Sequence, residues 1–377
     1  MNEAVDTGAG VQAQLEALRM EVGKLRKENG RLRGKQGIHA RKARAKPRNI
    51  VDDAGASDSS SSSRSWRPLL GTPAEILQQH PDPLRALSKG KVPAIVIKNQ
   101  MSKAELAALQ ERLFKMHAAR TLWKRTRPGD PGGYIGVAFT SALKWQLGPK
   151  RFSTLAAGAV DSMRQHGIYA PIAALYGGLR ALAAGRTVRT ARDPLTNRSF
   201  TPGTFRMQPN GTVQPVHLDS LHAFDRLACR RSCGCDPASA MPPKDRQQAR
   251  LSTQYSDMRR FSTQFSALVL LQRSDLASNE VSVYGRYIDD IEKSCDIKLM
   301  GQKRDAPGPT NSYTLNFDRS SARRSFHASS EDISSGDIYM FNSGFLHEVH
   351  PIIVREHTRM TISTFLGFSD EEVVVWG

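Results

Sequence analysis

The chain has 377 residues and a mass of 41.6 kDa, enough for a sizeable core and roughly two domains. Of these residues 39% are apolar, and 54 basic against 36 acidic side chains leave a formal net charge of +18, which favours acidic partners or substrates. Four cysteines are too few for a disulfide scaffold, no apolar run nears the ~18–20 residues of a membrane span, and the MNEAVDTGAG start is unlike a secretory signal. Secreted, membrane-spanning and collagen-like classes are therefore set aside. The expected compartment is intracellular, nucleus or cytoplasm.

Residues 1–65 read as a disordered basic arm. Within it Val11, Leu15, Leu18, Val22, Leu25, Asn29 and Leu32 alternate spacings of four and three, the seam of a short coiled coil over about 11–33. Asn29 at an inner position favours a two-stranded, in-register pairing, whereas Gly23 and Gly30 each cost about 1 kcal/mol relative to Ala. A weak dimer and a solvated, fraying helix both stay open. HARKARAKPR then places Arg41, Lys42, Arg44, Lys46 and Arg48 close together, as in nuclear-import or nucleic-acid-binding clusters. A solvated charge run reads the same way. Pro47, and a basic run that follows the zipper instead of preceding it, exclude a basic-leucine-zipper protein. DSSSSSRS closes the arm as a flexible linker.

From Trp66 to Gly377 the chain reads as one folded body, with a helical lead-in over 66–200 and a β-rich core over 201–377. VPAIVIKN (92–99) predicts a strand. MSKAELAALQERLFKMH predicts a helix, with Ser102 and Glu105 forming a capping box and Leu106, Leu109, Leu113 and Met116 on one face. Residues 152–184 are Ala- and Leu-rich and helical in pattern, with Pro171 and the pair Gly177–Gly178 as interruptions. Strand-like segments follow from about 203. Helices first and strands later predict a β core with a helical layer against it.

One constellation carries chemistry. VQPVHLDSLH places His217 and Asp219 at i and i+2, so both point to one face of an extended segment. FNSGFLHEVHPIIV supplies His347 in a second β-branched stretch, 130 residues on. Two His and one carboxylate on one face of an ion leave positions open, as in non-haem Fe(II) oxygenases. Twelve residues beyond His347 stands Arg359 in RMTISTFLGF, able to grip a carboxylate with two parallel hydrogen bonds. Thr361 shares its strand face.

These pieces, in this order, resemble the Fe(II)/2-oxoglutarate-dependent dioxygenases, and among them the prolyl-hydroxylase-like branch. FRMQPNG precedes HLD as the family's first core strand does. FSALVLLQ (265–272) and EVSVYGRY (280–287) look like its next two strands. GDIYMFNSGFLHEVHP resembles the turn and strand leading to the distal His, and RMTISTFLGF the strand that holds the cosubstrate. The likeness spans roughly 90–370. It implies a mainly β, double-stranded β-helix (jelly-roll) core with flanking helices. It also implies His217, Asp219 and His347 as iron ligands, Arg359 on the distal carboxylate of 2-oxoglutarate and Thr361 in support. The implied reaction couples oxidative decarboxylation of 2-oxoglutarate, to succinate and carbon dioxide, to hydroxylation, or to demethylation where the carbon bears a heteroatom. The branch often has a Tyr before its Gly-rich turn. Met207 stands at that place, and Tyr255, Tyr284 and Tyr339 stay open as substitutes.

His350 is the rival to His347, and strand alternation lets only one of them face inward. Its expected place is the surface or the layer behind the ligands. His222 and His327 read as loop histidines. Cys229, Cys233 and Cys235, with His222, are a candidate structural zinc site of unusual spacing. The same stretch, and GQKRDAPGPTNS (301–312), read as long loops or lids. RRF (259–261) and DRSSARRSF (318–326) place Arg beside Phe, a mix suited to phosphate contact and base stacking. A protein side chain is the first substrate expectation, from the branch resemblance, and a modified nucleobase is the variant favoured by charge. The non-enzyme rival is a jelly-roll binding module that dimerises through its arm and binds nucleic acid or protein. A cupin-like metalloenzyme without 2-oxoglutarate is a weaker one, opposed by Arg359 and Thr361.

Overall fold

In the computed structural model, residues 66–377 are described apart from 125–131, 140–146, 213, 220–254, 262, 274–278, 288–297, 300–314, 318, 320–321, 323 and 353–357. The arm with its coiled-coil and basic-run expectations, the cysteines 229, 233, 235 and 295, His222 and the 301–312 loop lie outside these residues.

The lead-in is mixed. It runs β1 (Leu69–Gly71), α1 (Pro73–Gln79), α2 (Pro83–Ser88), β2 (Ala94–Ile97), α3 (Lys103–Ala118), β3 (Gly133–Ile135), α4 (Pro149–Gln165), α5 (Ala170–Leu182) and β4 (Thr187–Thr190). Helix α3 begins as its capping box predicts: the Ser102 hydroxyl accepts from the Glu105 amide, and the Glu105 carboxylate accepts from Ser102. Its buried residues are Leu106, Leu109, Leu113 and Met116. Emptying the Leu113 position, fully buried, costs about 2–5 kcal/mol. The 152–184 region departs from expectation in two respects. Pro171 does not interrupt a helix but sits in the first turn of α5, where a missing N–H costs nothing. Gly177 and Gly178 lie inside α5. A Cβ on Gly178 would come within 2.9 Å of Ile97, so this glycine is what lets the helix press onto the sheet.

The rest is β5 (Thr204–Gln208), β6 (Gln214–His217), α6 (Ser256–Arg259), β7 (Phe265–Gln272), β8 (Asn279–Tyr287), β9 (Lys298–Leu299), β10 (Leu315–Asn316), β11 (Ser325–Ser329), β12 (Ile338–Asn342), β13 (Phe345–Val349), β14 (Arg359–Phe368) and β15 (Glu372–Trp376). Eight of these strands form two four-stranded antiparallel sheets. The major one runs β5–β14–β7–β12 and the minor one β6–β13–β8–β11. Successive core strands change sheet at every connection except β8 to β11. That is the jelly-roll arrangement. β2 and β1 extend the major sheet past β12, while β15 and β4 continue it beside β14.

Strand alternation divides the core in two. Ala267, Val269, Ile338, Met340, Met360 and Ile362 point from the major sheet to the helices. Leu270, Tyr339 and Phe341 point instead to the minor sheet, meeting Val281, Val283 and Phe345. The Gly-Asp turn fixes where β12 begins. Gly336 adopts φ +94°, a conformation costly for other residues. The buried Asp337 carboxylate then accepts from the Asn99 and Ser334 amides and pairs with Lys98 at 3.0 Å.

Candidate active site

His217 ends β6 and His347 lies in the middle of β13, and the two are direct partners across the ladder. Residues opposite one another on antiparallel strands share a face, so both imidazoles enter the space between the sheets. Their ring centroids are 4.2 Å apart. The β6–β13 register slips between the His347 and Val349 rungs, with one extra residue on β6. Pro215 stands in that interval, where a residue with no N–H to give is tolerated.

Asp219 follows just beyond β6. Its Oδ2 is 3.7 Å from His217 Nε2 and 3.5 Å from His347 Nε2. One ligand atom from each of the three lies within 4.8 Å of the others. The imidazoles are buried and the Asp219 side chain is 30% exposed, so the group opens toward solvent on its carboxylate side. His347 Nδ1 is 2.9 Å from the Phe345 carbonyl. A carbonyl only accepts, so Nδ1 carries the proton and the Nε2 lone pair faces Asp219. That Nε2 is buried and makes no hydrogen bond. Burial, and then His217, hold the His347 pKa below its ordinary value. Burial opposes the charge of Asp219, but His217 chiefly outweighs it and holds the carboxyl well below the usual range. A neutral imidazole with an open lone pair beside an ionised carboxylate is what a divalent cation needs. These residues fit one.

The Arg359 face is more crowded than the sequence expectation. Arg359 is 1% exposed. Its Nε donates to Glu280 at 2.7 Å, Nη1 to Gln208 and Nη2 to the Tyr339 hydroxyl at 3.1 Å. Burial works against its charge, but Glu280 and Tyr339 more than compensate and its pKa is raised. A guanidinium has five N–H groups, so one remains on each terminal nitrogen for an added carboxylate. Thr361 lies on the same face, 1% exposed, with its Oγ1 lacking a hydrogen-bond partner.

Of the three tyrosines left open, Tyr339 is the one in contact with Arg359 among the described residues. Burial pushes its pKa up to about 12. Tyr255 donates to the Leu147 carbonyl and Tyr284 to Glu348, both away from Arg359. Met207 points to the helical side; the interior-facing residues of β5 are its neighbours Arg206 and Gln208.

Three residues of this interior escaped the sequence reading: Arg206, Gln208 and Glu280. Alternation in FRMQPNG, once His217 is placed inward, was the available signal for the first two. Glu280 gave none. By alternation it belongs with Ser282 and Tyr284 on the outer face, but Val281 pairs with Ala328 and Asn279 with Ser329. Glu280 is thus the extra residue of a β-bulge, and a bulge re-aims a side chain.

His350 faces outward, its Nε2 2.5 Å from Ser282 Oγ, which leaves His347 as the inward residue of the pair. His327 lies on β11 and not on a loop, with Nδ1 2.6 Å from the same hydroxyl. Phe261 and Phe326 are 5% and 7% exposed, so neither ring presents a stacking face. Arg260 pairs with Asp257 at 3.4 Å and with Glu372.

No family model and no curated protein matches the chain. Among solved structures it is similar to an N-substituted L-amino acid dioxygenase from Burkholderia ambifaria AMMD (15% identity, 78% of this chain and 90% of that one, TM-score 0.42). It is also similar to the non-haem alpha-ketoglutarate-dependent epimerase SnoN from nogalamycin biosynthesis (11%, 77% and 87%, 0.38). A third is HygX from Streptomyces hygroscopicus, solved with nickel and 2-oxoglutarate (14%, 76% and 86%, 0.36). Likenesses this distant carry no argument about reaction, substrate or branch. In the chain itself a jelly-roll holds His217, Asp219 and His347 together between its sheets, with Arg359 and Thr361 facing the same interior, in the order H-x-D…H…R of the Fe(II)/2-oxoglutarate dioxygenases it resembles.

Proposed function

We propose that the protein is an Fe(II)- and 2-oxoglutarate-dependent oxygenase that hydroxylates, or oxidatively demethylates, its substrate. The observation that supports this best is the cross-strand pair His217–His347 closing on Asp219, with a buried, unbonded Nε2 on His347. A buried nitrogen lone pair without a donor costs about 1–3 kcal/mol, and a bound cation removes that cost.

In this reading His217, Asp219 and His347 hold the metal, and the Phe345 carbonyl keeps His347 in the ligating tautomer. When bound, Fe(II) with 2-oxoglutarate supplies an oxidant able to take hydrogen from a C–H bond. The protein's part is placement and exclusion of water. Phe341 packs on His347 at 4.7 Å between centroids, while Leu270, Val283 and Phe345 line the dry side. Arg359 and Thr361, which face the same interior, would take the distal carboxylate of the cosubstrate. A protein side chain is the first substrate class to screen. Oligonucleotides are the second, because the chain carries +18.

The test is oxygen-dependent formation of succinate from 2-oxoglutarate by the full chain with Fe(II). Wild type should form succinate and the double variant His217→Ala/Asp219→Ala should not. A folded, Fe(II)-supplemented wild type that forms none with peptide or oligonucleotide pools contradicts the proposal. The binding-module reading requires the double variant to keep full partner affinity.

A further inference from the structure

The interior end of β5 and β14 holds four side chains on two rungs of one face, with the Met207–Met360 rung between them. Arg359 is opposite Gln208 and Thr361 is opposite Arg206. The first rung is complete: Arg359 bonds Gln208, Glu280 and Tyr339. The second is not. Thr361 Oγ1 is buried without a partner, and no hydrogen bond or ion pair of Arg206 is found among the described residues.

Charge makes the difference sharper. Glu280 pairs with Arg359 at 2.7 Å and with Arg273 at 3.7 Å. Arg206 is half-buried, and its electrostatic neighbours are Asp219, which favours its charge, and Arg359, which opposes it. Asp219 belongs to the metal group. Arg206 is thus a cation with no ion pair among the described residues, held near a like charge and opposite an unsatisfied hydroxyl. An arrangement that costs stability without a ligand is expected where an anion completes it.

We infer that the Arg206–Thr361 rung is the seat of the cosubstrate's distal carboxylate, with Arg206 supplying the compensating charge and Arg359, braced by Glu280, in a supporting place. The inference rests on the 2-oxoglutarate reading and changes which residue dominates it.

The experiment uses the full chain, loaded with Fe(II) without oxygen, and calorimetric titration with 2-oxoglutarate. Arg206→Gln should raise Kd by about 10-fold or more, through loss of a charge-assisted hydrogen bond to the carboxylate. Arg206→Lys should recover part of the loss. The melting temperature without ligand is the second readout. Removing a like charge beside Arg359 should leave it unchanged or raise it, whereas a purely structural Arg206 would lower it. An unchanged Kd in Arg206→Gln, or a fall in melting temperature that alone accounts for weaker binding, overturns the inference. No binding of 2-oxoglutarate by wild type overturns the proposed function itself, and this inference with it.

Discussion

The minor sheet carries imidazoles on both faces, and the two faces have opposite characters. On the outer face His327 and His350 flank Ser282, whose hydroxyl lies 2.6 Å and 2.5 Å from their nitrogens. One hydroxyl can donate to one ring and accept from the other. Beside them Glu348 is met by Tyr284 and by two nitrogens of Arg319, at 2.8 Å and 2.5 Å. On the inner face His217 and His347 meet an ionised Asp219, and the buried Nε2 of His347 makes no hydrogen bond. The residue types are nearly the same. What separates a structural cluster from a candidate metal site is whether the protein itself completes the hydrogen bonding.

That contrast can be broken at several points. The largest effect is expected at Glu280, the bulge residue turned inward. Glu280→Ala leaves Arg359 buried without its carboxylate, which should cost about 3–5 kcal/mol, read as a fall in the urea midpoint. A loss below ~1 kcal/mol would mean that the pair is not buried as described. Next, His217→Ala should weaken Fe(II) binding by more than about 100-fold, beyond the 10–100-fold typical of residues behind the ligands. Equilibrium dialysis reads this directly, and retained affinity would place the metal elsewhere.

Ser282→Ala sharpens the contrast from the other side. It removes the hydroxyl between His327 and His350 and should cost about 1–3 kcal/mol, with Fe(II) affinity unchanged. A change in metal binding would show that the two faces are coupled. The smallest effect is a pH dependence. Burial lowers the His350 pKa, Glu348 opposes this, and His327 and Arg319 add to it, with Ser282 in contact. The unfolded chain then takes up more protons than the folded one below the ordinary value of about 6.5, so stability falls as pH drops through that range. His350→Gln should flatten the melting-temperature profile between about pH 7 and 5. Equal slopes in both proteins would exclude His350 as the source.

How much of this was legible depends on whether the signal is local. The α3 capping box is set by residues three apart, and the helix begins where Ser102 and Glu105 place it. His217 and Asp219 needed only alternation, and His347 and Arg359 only a strand-like setting in the right order. The glycines of α5 misled because a helix-breaking tendency is local, while the contact with Ile97 that Gly178 permits is not. That Tyr339, and not Tyr255 or Tyr284, meets Arg359 required knowing that β12 reaches the Arg359 region. Glu280 was out of reach, since its inward turn exists only through the Ala328/Ser329 register shift on a strand about 50 residues away. Local chemistry was readable; cross-strand register was not.

The most direct test of the central claim is an anaerobic titration of the protein with Fe(II) and then 2-oxoglutarate, followed by the weak visible charge-transfer band of the chelate. The account predicts a band in wild type and in Ser282→Ala, and none in His217→Ala. Absence of the band in folded wild type, or its persistence in His217→Ala, would contradict it.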